Sequence, residues 1–457
     1  MFSSSSIVCP AVTLKELLSF DDKYFIEHAY QTLLGRCPDP EGNWYYLQRL
    51  RAGVMKIEIL AQLSMSSEFQ SKKIEVVGLR EAIQRRKLFK LPVIGKLLYS
   101  LLENKKYENN TFRPAVKQKA QICQGYLTDT STSIKNGKIA CIIPFYNGSE
   151  FIERALSSVF NQTIPANEVI VVNDGSRDKE REYLYSLTHK YPFKIIDKEN
   201  GGQGSARNAG VTASTSEYIC FLDQDDFYLP RHNETLINGI PKGEQNFGWV
   251  YADLVEANGD GSVMRTSMVK EHSMHPKRSF IDLLGRDMFI LPSASLINRR
   301  AFEAIGGFDD QFTGYEDDDL FLRLFRQGWS NTFIDQPVTV WCIHNESTSY
   351  SVRMSRSRFR YLAKLITQYP DEPEKARYYF RDLFMPRFGG LIIADAITAN
   401  SQNSKDKEEI YRILKQYASM VCSNRSVPKL IKKKIKAVVF FLTKWPKCGA
   451  YLAKKII

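Results

Sequence analysis

From Lys138 the sequence alternates short β-rich runs with helical ones: KIACIIPF, FIERALSSVF, EVIVVND, a helix near KEREYLYSL, then FKIIDK. Strands separated by helices are joined through crossovers, which argues for a mostly parallel sheet covered by helices. The sheet is expected to continue through YICFL and FGWVYADLV. The first of these runs ends abruptly in acid, as YICFLDQDD from Tyr218 to Asp226. Asp223, Asp225 and Asp226 would repel one another and raise each other's pKa unless a cation offset them, which points to a hard divalent metal with oxygen ligands. Ligands of open α/β sheets gather at the carboxyl ends of strands, where this cluster falls. The bland alternative makes Asp225 and Asp226 caps of a following helix and leaves Asp223 in water.

At 457 residues the chain exceeds a single core and predicts two or three domains. No run of about eighteen apolar residues is present to span a bilayer. MFSSSSIVCP lacks the basic and apolar regions of a signal peptide, so a cytoplasmic location is expected. The eight cysteines are scattered, with no C-x-x-C pair, and fit free thiols in a reducing compartment. The net charge of +12 is local: after Glu409 there is no acidic residue, and twelve of the 63 basic residues lie there. Before that point the chain is charge-balanced, and no nucleic-acid motif is recognisable, so nucleic acid is not an expected partner.

Four segments follow. Residues 1–78 read as short helices, with Asp21 and Ser66 as N-caps. Within them YQTLLGRCPDPEG, Tyr30 to Gly42, resembles a small helical module of unknown function marked by Y-x-x-L-L-G-R-x-P-D-x-x-G. Such modules occur beside polysaccharide enzymes, which implies either docking of a protein partner or a structural role. Residues 79–137 read as a helical connector and linker, and 138–350 as the α/β domain. Residues 351–457 read as helices ending in a basic tail that mixes lysines with Ile, Val, Phe, Leu and Trp445. Such a tail suits an anionic membrane surface, and so a peripheral position on the cytoplasmic face.

In order, the α/β segment carries IIPFYNG, VVNDGS, NGGQGSARNAG, FLDQDD, GGFDD, YEDDDLFLRL and IHNESTS. Together these resemble family 2 of the inverting glycosyltransferases, with the nucleotide-sugar-binding GT-A fold. The resemblance covers roughly Lys138 to Ser351. It implies a mixed sheet flanked by helices, a nucleoside-diphosphate sugar donor (a UDP-sugar by the family's majority), Mn2+ or Mg2+ as cofactor, and a glycan or lipid-linked acceptor in cell-surface polysaccharide synthesis.

Residue by residue, the resemblance implies that Asp174 reads uracil, with Pro144 and Tyr146 lining the base and ribose pocket. Locally, Asp174 also suits an Asx turn before Gly175 and Ser176. In NGGQGSARNAG, Arg207 stands where a dinucleotide fingerprint needs its third glycine, which weakens a Rossmann reading. Gly202 lets backbone approach a ligand, Arg207 meets a phosphate or organises the acids, and Asn208 bonds across the loop, all on the donor side. Asp223 and Gln224 are also placed beside the donor. Asp225, Asp223 and His344 are the implied metal ligands. By resemblance Asp317 is the general base and Glu316 orients the acceptor, although acids in a first helical turn are favourable for the dipole alone. Arg353, Arg356, Arg358 and Arg360 read as a lid over the diphosphate or as solubilising charge. Leu291 to Ser295 are expected to influence the choice of sugar.

Two other classes compete. A phosphohydrolase or nucleotidyltransferase would use FLDQDD directly, but Phe227 fits poorly where such enzymes want a small residue or threonine. A catalytically silent scaffold would leave the work to the module and the tail.

Overall fold

The computed structural model describes residues 11, 13–51, 54–72, 74–89, 137–343, 352–401 and 404–445. His344, most of the connector, and the tail beyond Trp445 lie outside the described residues. The chain divides into two compact units. One spans residues 1–132 together with 370–379, and the other holds 133–369 and 380–457.

The first unit is helical: Leu14–Ser19, Asp22–Leu34, Pro40–Arg51, Lys56–Leu63, Ser67–Ser71 and Leu79–Phe89. Its core is formed by Phe25, Ile26, Ala29, Leu33, Tyr45, Tyr46, Ile59, Leu60 and Leu63, all buried. Ser66 caps as expected, accepting from the Phe69 N–H at 3.2 Å. Asp21 does not cap by its side chain; its carboxylate instead accepts from Lys56 Nζ at 2.6 Å. Residues 370–379, which sequence alone assigns to the C-terminal helical region, group here because their backbone and charges pair with module residues.

The second unit is built on one nine-stranded sheet. Its strands are β1 Ile139–Phe145, β2 Glu168–Asp174, β3 Lys194–Lys198, β4 Tyr218–Phe221, β5 Phe227–Tyr228, β6 Phe247–Asn258, β7 Val263–Arg265, β8 Ser295–Asn298 and β9 Ser330–Ile343. The order is β3-β2-β1-β4-β8-β6-β9-β5, with β7 beside β6. β3, β2, β1 and β4 run parallel, and the helices between them supply the crossovers that parallel pairs need. β8 lies antiparallel to both β4 and β6, and β6 is parallel to β9. The sheet is therefore mixed, as the family resemblance implies, rather than mostly parallel. Helices also separate the later strands, His232–Asn238 before β6 and Glu316–Arg326 before β9 among them, but there the connections bring in antiparallel neighbours.

β1 is buried along its whole length, and β6 along all but its last residue. Such strands read as continuous apolar runs because helices cover both faces. The helix Gln203–Thr212 lies on one face, with Gly210 against Ile142 of β1 and Val172 of β2. β1, β2 and β4 end on the same edge, so Phe145, Asp174 and Phe221 deliver their following loops to one place. C-terminal to the sheet, helices Val352–Gln368, Met385–Ser401, Lys407–Ser423 and Lys429–Lys444 complete the unit. A short π-helical turn, Phe380–Phe384, precedes the second of them.

Candidate active site

The loops at that edge carry three of the sequence motifs, and a buried arginine links two acidic clusters there. Gly202, at φ +87°, sits just before the helix Gln203–Thr212 in a conformation that disfavours side chains. One helical turn later Arg207 is buried, with 2% side-chain exposure. Its Nη2 donates to Asp223 Oδ1 at 2.6 Å, and its Nη1 to Glu316 Oε1 at 3.3 Å. Its guanidinium also lies over the Phe308 ring, 5.2 Å from the centroid. Gln203 Nε2 donates to the same Asp223 oxygen at 2.6 Å. FLDQDD and YEDDD, 91 positions apart from Asp225 to Glu316, thus meet through one side chain.

Asp226 is not the exposed helix cap that the bland reading offers. The element after it is the short strand β5, and Asp226 is buried, its Oδ1 accepting from the Cys342 N–H of β9 at 2.9 Å. Its Oδ2 has no partner among the described residues. Burial, then the charges of Asp225 and Asp223, push its carboxyl well above the ordinary range. Arg154, which the motifs did not flag, fixes the same loop by donating to the Asp225 carbonyl at 2.6 Å and lying over the Phe227 ring.

Hard carboxylate oxygens on a loop with unbalanced negative charge suit a divalent cation, so Asp225 and Asp223 fit Mn2+ or Mg2+ chemically. Among the described residues no three His, Cys, Asp or Glu side chains converge to cage an ion. These residues would accordingly supply part of a coordination shell, with ligand oxygens supplying more.

The helix Glu316–Arg326 opens at Tyr315, whose φ of +65° turns the chain into it. Glu316 is buried, and burial raises its pKa while Arg207 opposes the shift. Its Oε2 has no partner among the described residues. At Asp317 burial, then Glu316 and Asp318, push the carboxyl well above the usual range. Asp318 is raised to about 7 by burial, against the pull of Arg387. Arg387 comes from the helix Met385–Ser401, pairs with Asp318, and donates to the Leu283 carbonyl at 2.9 Å. Lys364 holds Asp319 at 2.5 Å and Asp309 at 2.7 Å. Neither Arg387 nor Lys364 lies in a recognisable motif, so only the fold reveals them.

Several expected donor contacts are committed within the protein. Asp174, buried at the end of β2, accepts from Lys198 Nζ at 2.6 Å and from the Gly201 and Gly202 N–H groups at 2.9 and 2.8 Å. It shapes the glycine loop and keeps lone-pair capacity for one more donor. Gln224 is clamped to the Tyr146 backbone, accepting from its N–H at 2.8 Å and donating to its carbonyl at 3.2 Å. Tyr146 is exposed at this edge, whereas Pro144 is buried inside β1 beneath it. Asn208 spends its amide on the Phe308 backbone in both directions and on Asp310, each at 2.9 Å, so it ties GGFDD to the helix rather than facing a donor.

The arginines proposed as a lid are mostly engaged. Arg356 pairs with Glu409 at 2.7 Å, Arg358 with Asp395 and the Tyr315 hydroxyl, and Arg360 with the Gln311 carbonyl. They brace the C-terminal helices against one another and against the acidic loop, and Arg353 is exposed.

Comparison with known proteins bears on this arrangement. Residues 140–306 match the family model for glycosyl transferase family 2, and residues 14–73 match the model for a domain of unknown function, DUF4214. A glycosyltransferase of Rickettsia bellii is 27% identical over 309 residues, 64% of this chain and 41% of that protein. One from Rickettsia typhi is 32% identical over 218 residues, 46% of this chain and 65% of that protein. The chondroitin synthase of Pasteurella multocida is 30% identical over 191 residues, 42% of this chain and 19% of that enzyme. Thus the chain spans less than two thirds of each. Among solved structures, S. aureus TarS 1–349 in complex with UDP-GlcNAc aligns at a TM-score of 0.47 and 16% identity, over 70% of this chain and 90% of that one.

Removing the guanidinium leaves Glu316 buried and unpaired. Arg207→Ala is expected to cost about 3–5 kcal/mol in urea unfolding, because breaking a buried pair strands its partner. A loss within about 0.5 kcal/mol of zero, as for an ordinary surface change, would contradict the bridge.

Proposed function

We propose that this chain, whose residues 140–306 belong to glycosyl transferase family 2, moves a sugar from a nucleoside-diphosphate donor, a UDP-sugar, to a hydroxyl of a glycan or lipid-linked acceptor. The observation that carries the reading is Arg207, which joins the donor-side acidic loop to the helix bearing the base. Similarity to a chondroitin synthase supports a polysaccharide product.

A divalent ion held by Asp225 and Asp223, with His344 as the further expected ligand, would supply Lewis-acid stabilisation of the departing diphosphate. Asp317 takes the proton of the acceptor hydroxyl. Its burial, with Glu316 and Asp318 beside it, makes it a stronger base than an exposed carboxylate. Glu316, held by Arg207, orients the acceptor. Attack from the face opposite the leaving group inverts the anomeric centre in one displacement.

The base must be ionised to act, so a raised pKa moves the acid limb of kcat/KM above the ordinary carboxylate range, with activity rising as pH rises through it. Asp317→Asn is expected to lower kcat by about 10²–10⁴ while donor binding persists. The measurement is UDP release from a panel of UDP-sugars with Mn2+ or Mg2+, with and without glycan acceptors. Unchanged turnover would remove Asp317 from the role of base.

The tail helix Lys429–Lys444 supports a peripheral site on the cytoplasmic face of the membrane. Its stripe of Ile435, Val438 and Leu442 is buried, with the Leu442 carbonyl accepting from the Tyr411 hydroxyl at 3.0 Å. What remains outside is Leu430, Phe440 and Trp445 among lysines, a composition suited to anionic lipid. Each lysine near such a surface contributes about 1 kcal/mol. Replacing Lys432, Lys433 and Lys434 together by Glu should cut binding to phosphatidylserine vesicles tenfold or more. Binding that survives the charge reversal would exclude the tail as the contact.

A further inference from the structure

The module's motif has no part in the chemistry above, yet its residues converge on one point of the first unit. Residues 370–379 form a tight turn closed by reciprocal backbone bonds between Glu372 and Arg377, at 2.8 and 3.0 Å, with Ala376 in the left-handed region at φ +53°. The turn presents Arg377, whose side chain is 2% exposed. Its Nη2 meets Asp39 Oδ1 at 2.5 Å, and its Nη1 lies 3.3 Å from Glu41 and 3.4 Å from Glu372.

Asp39, Gly42 and Tyr30 of the motif receive it. Asp39 also accepts from the Gly42 N–H at 2.7 Å, which starts the helix Pro40–Arg51 and aims the carboxylate. A Cβ at Gly42 would lie 2.5 Å from the Tyr30 hydroxyl and 2.7 Å from Arg377 Nη2, so a side chain there would fill the space the guanidinium occupies. Tyr30 forms the opposite wall. Arg36 stays outside this contact: it lies over the Tyr30 ring and binds Glu68 at 2.9 and 3.1 Å, bracing the wall from behind. Two further tyrosines read the turn's backbone. Tyr46 donates to the Ala376 carbonyl at 2.8 Å, and Tyr45 accepts from the Tyr378 N–H at 2.9 Å. Tyr379 in turn donates to Glu41 at 2.5 Å.

We infer that the helical module is a receptor for an arginine-bearing tight turn, and that in this chain its occupant is the chain's own segment Glu372–Tyr379. Acid for the guanidinium, hydroxyls for the turn backbone and a glycine that leaves room give the receptor its selectivity. The module is thereby held by a non-covalent contact in addition to the peptide connection, whichever sugar the rest of the chain transfers.

The test uses the full chain with a specific protease sequence inserted between Ala115 and Val116, cut after purification. Both fragments of the otherwise unaltered protein are expected to co-elute on size exclusion. Arg377→Ala should weaken their association by roughly tenfold or more, the scale of a lost charge-assisted pair. Tyr46→Phe leaves the guanidinium site intact and should weaken it about three- to tenfold, as one hydrogen bond does. Separation of the unaltered fragments on cleavage, or equal retention in all three proteins, would overturn the assignment.

Discussion

A buried guanidinium is costly unless anions meet it, and the second unit is arranged around that requirement at Arg207. Its helix starts where Gly202 turns the chain, and its charge is met by Asp223 from the loop after β4 and Glu316 from a helix that begins 93 residues later. Neither acidic cluster can move without stranding charge on the other. The same constraint sets the electrostatics of the site, because Arg207 compensates Asp223 and Glu316, while Asp226 and Asp317 retain raised proton affinities. In both acidic clusters burial and neighbouring carboxylates favour binding of positive charge, whether a proton or a cation.

Much of this was legible in the sequence, for identifiable reasons. Apolar runs ending in acid located the strand edge, since charge is costly to bury inside a sheet unless partners meet it, as they meet Asp253 in β6. The acids of YEDDD open a helix, as their fit to a first helical turn allowed, and Leu320, Phe321 and Leu324 behind them are buried. What a motif shows poorly is which way a polar side chain turns. Asn208, in the helix Gln203–Thr212, and Gln224, in the loop after β4, spend their amides on backbone of Phe308 and Tyr146. Asp226 depends on β9, more than a hundred residues away, and no local pattern carries that pairing. The antiparallel seam at β8 was equally hidden, because its four residues, SLIN, are too short and mixed to mark a strand or its direction.

The C-terminal helices are more than an appendage to the matched segment. Arg387 and Lys364 reach Asp318 and Asp319, and Arg358 reaches Tyr315 where the acidic helix opens. Both the acidic helix and the side chains that hold it therefore lie outside residues 140–306, which the family comparison spans. Read as loose lid residues, these arginines would be free to move; paired as they are, they hold the C-terminal helices to one another and to the opening of the acidic helix.

The central claim is that two distant carboxylates act as one unit through Arg207. A double-mutant cycle of Asp223→Asn and Glu316→Gln, followed by urea unfolding, measures that coupling directly. Because either acid alone still meets the guanidinium and only the double variant leaves it without an anion, the double variant should lose more than the sum of the single losses, by about 1 kcal/mol or more. Losses that add within about 0.3–0.5 kcal/mol would mean that the two acids are independent, and that Arg207 does not unite the site.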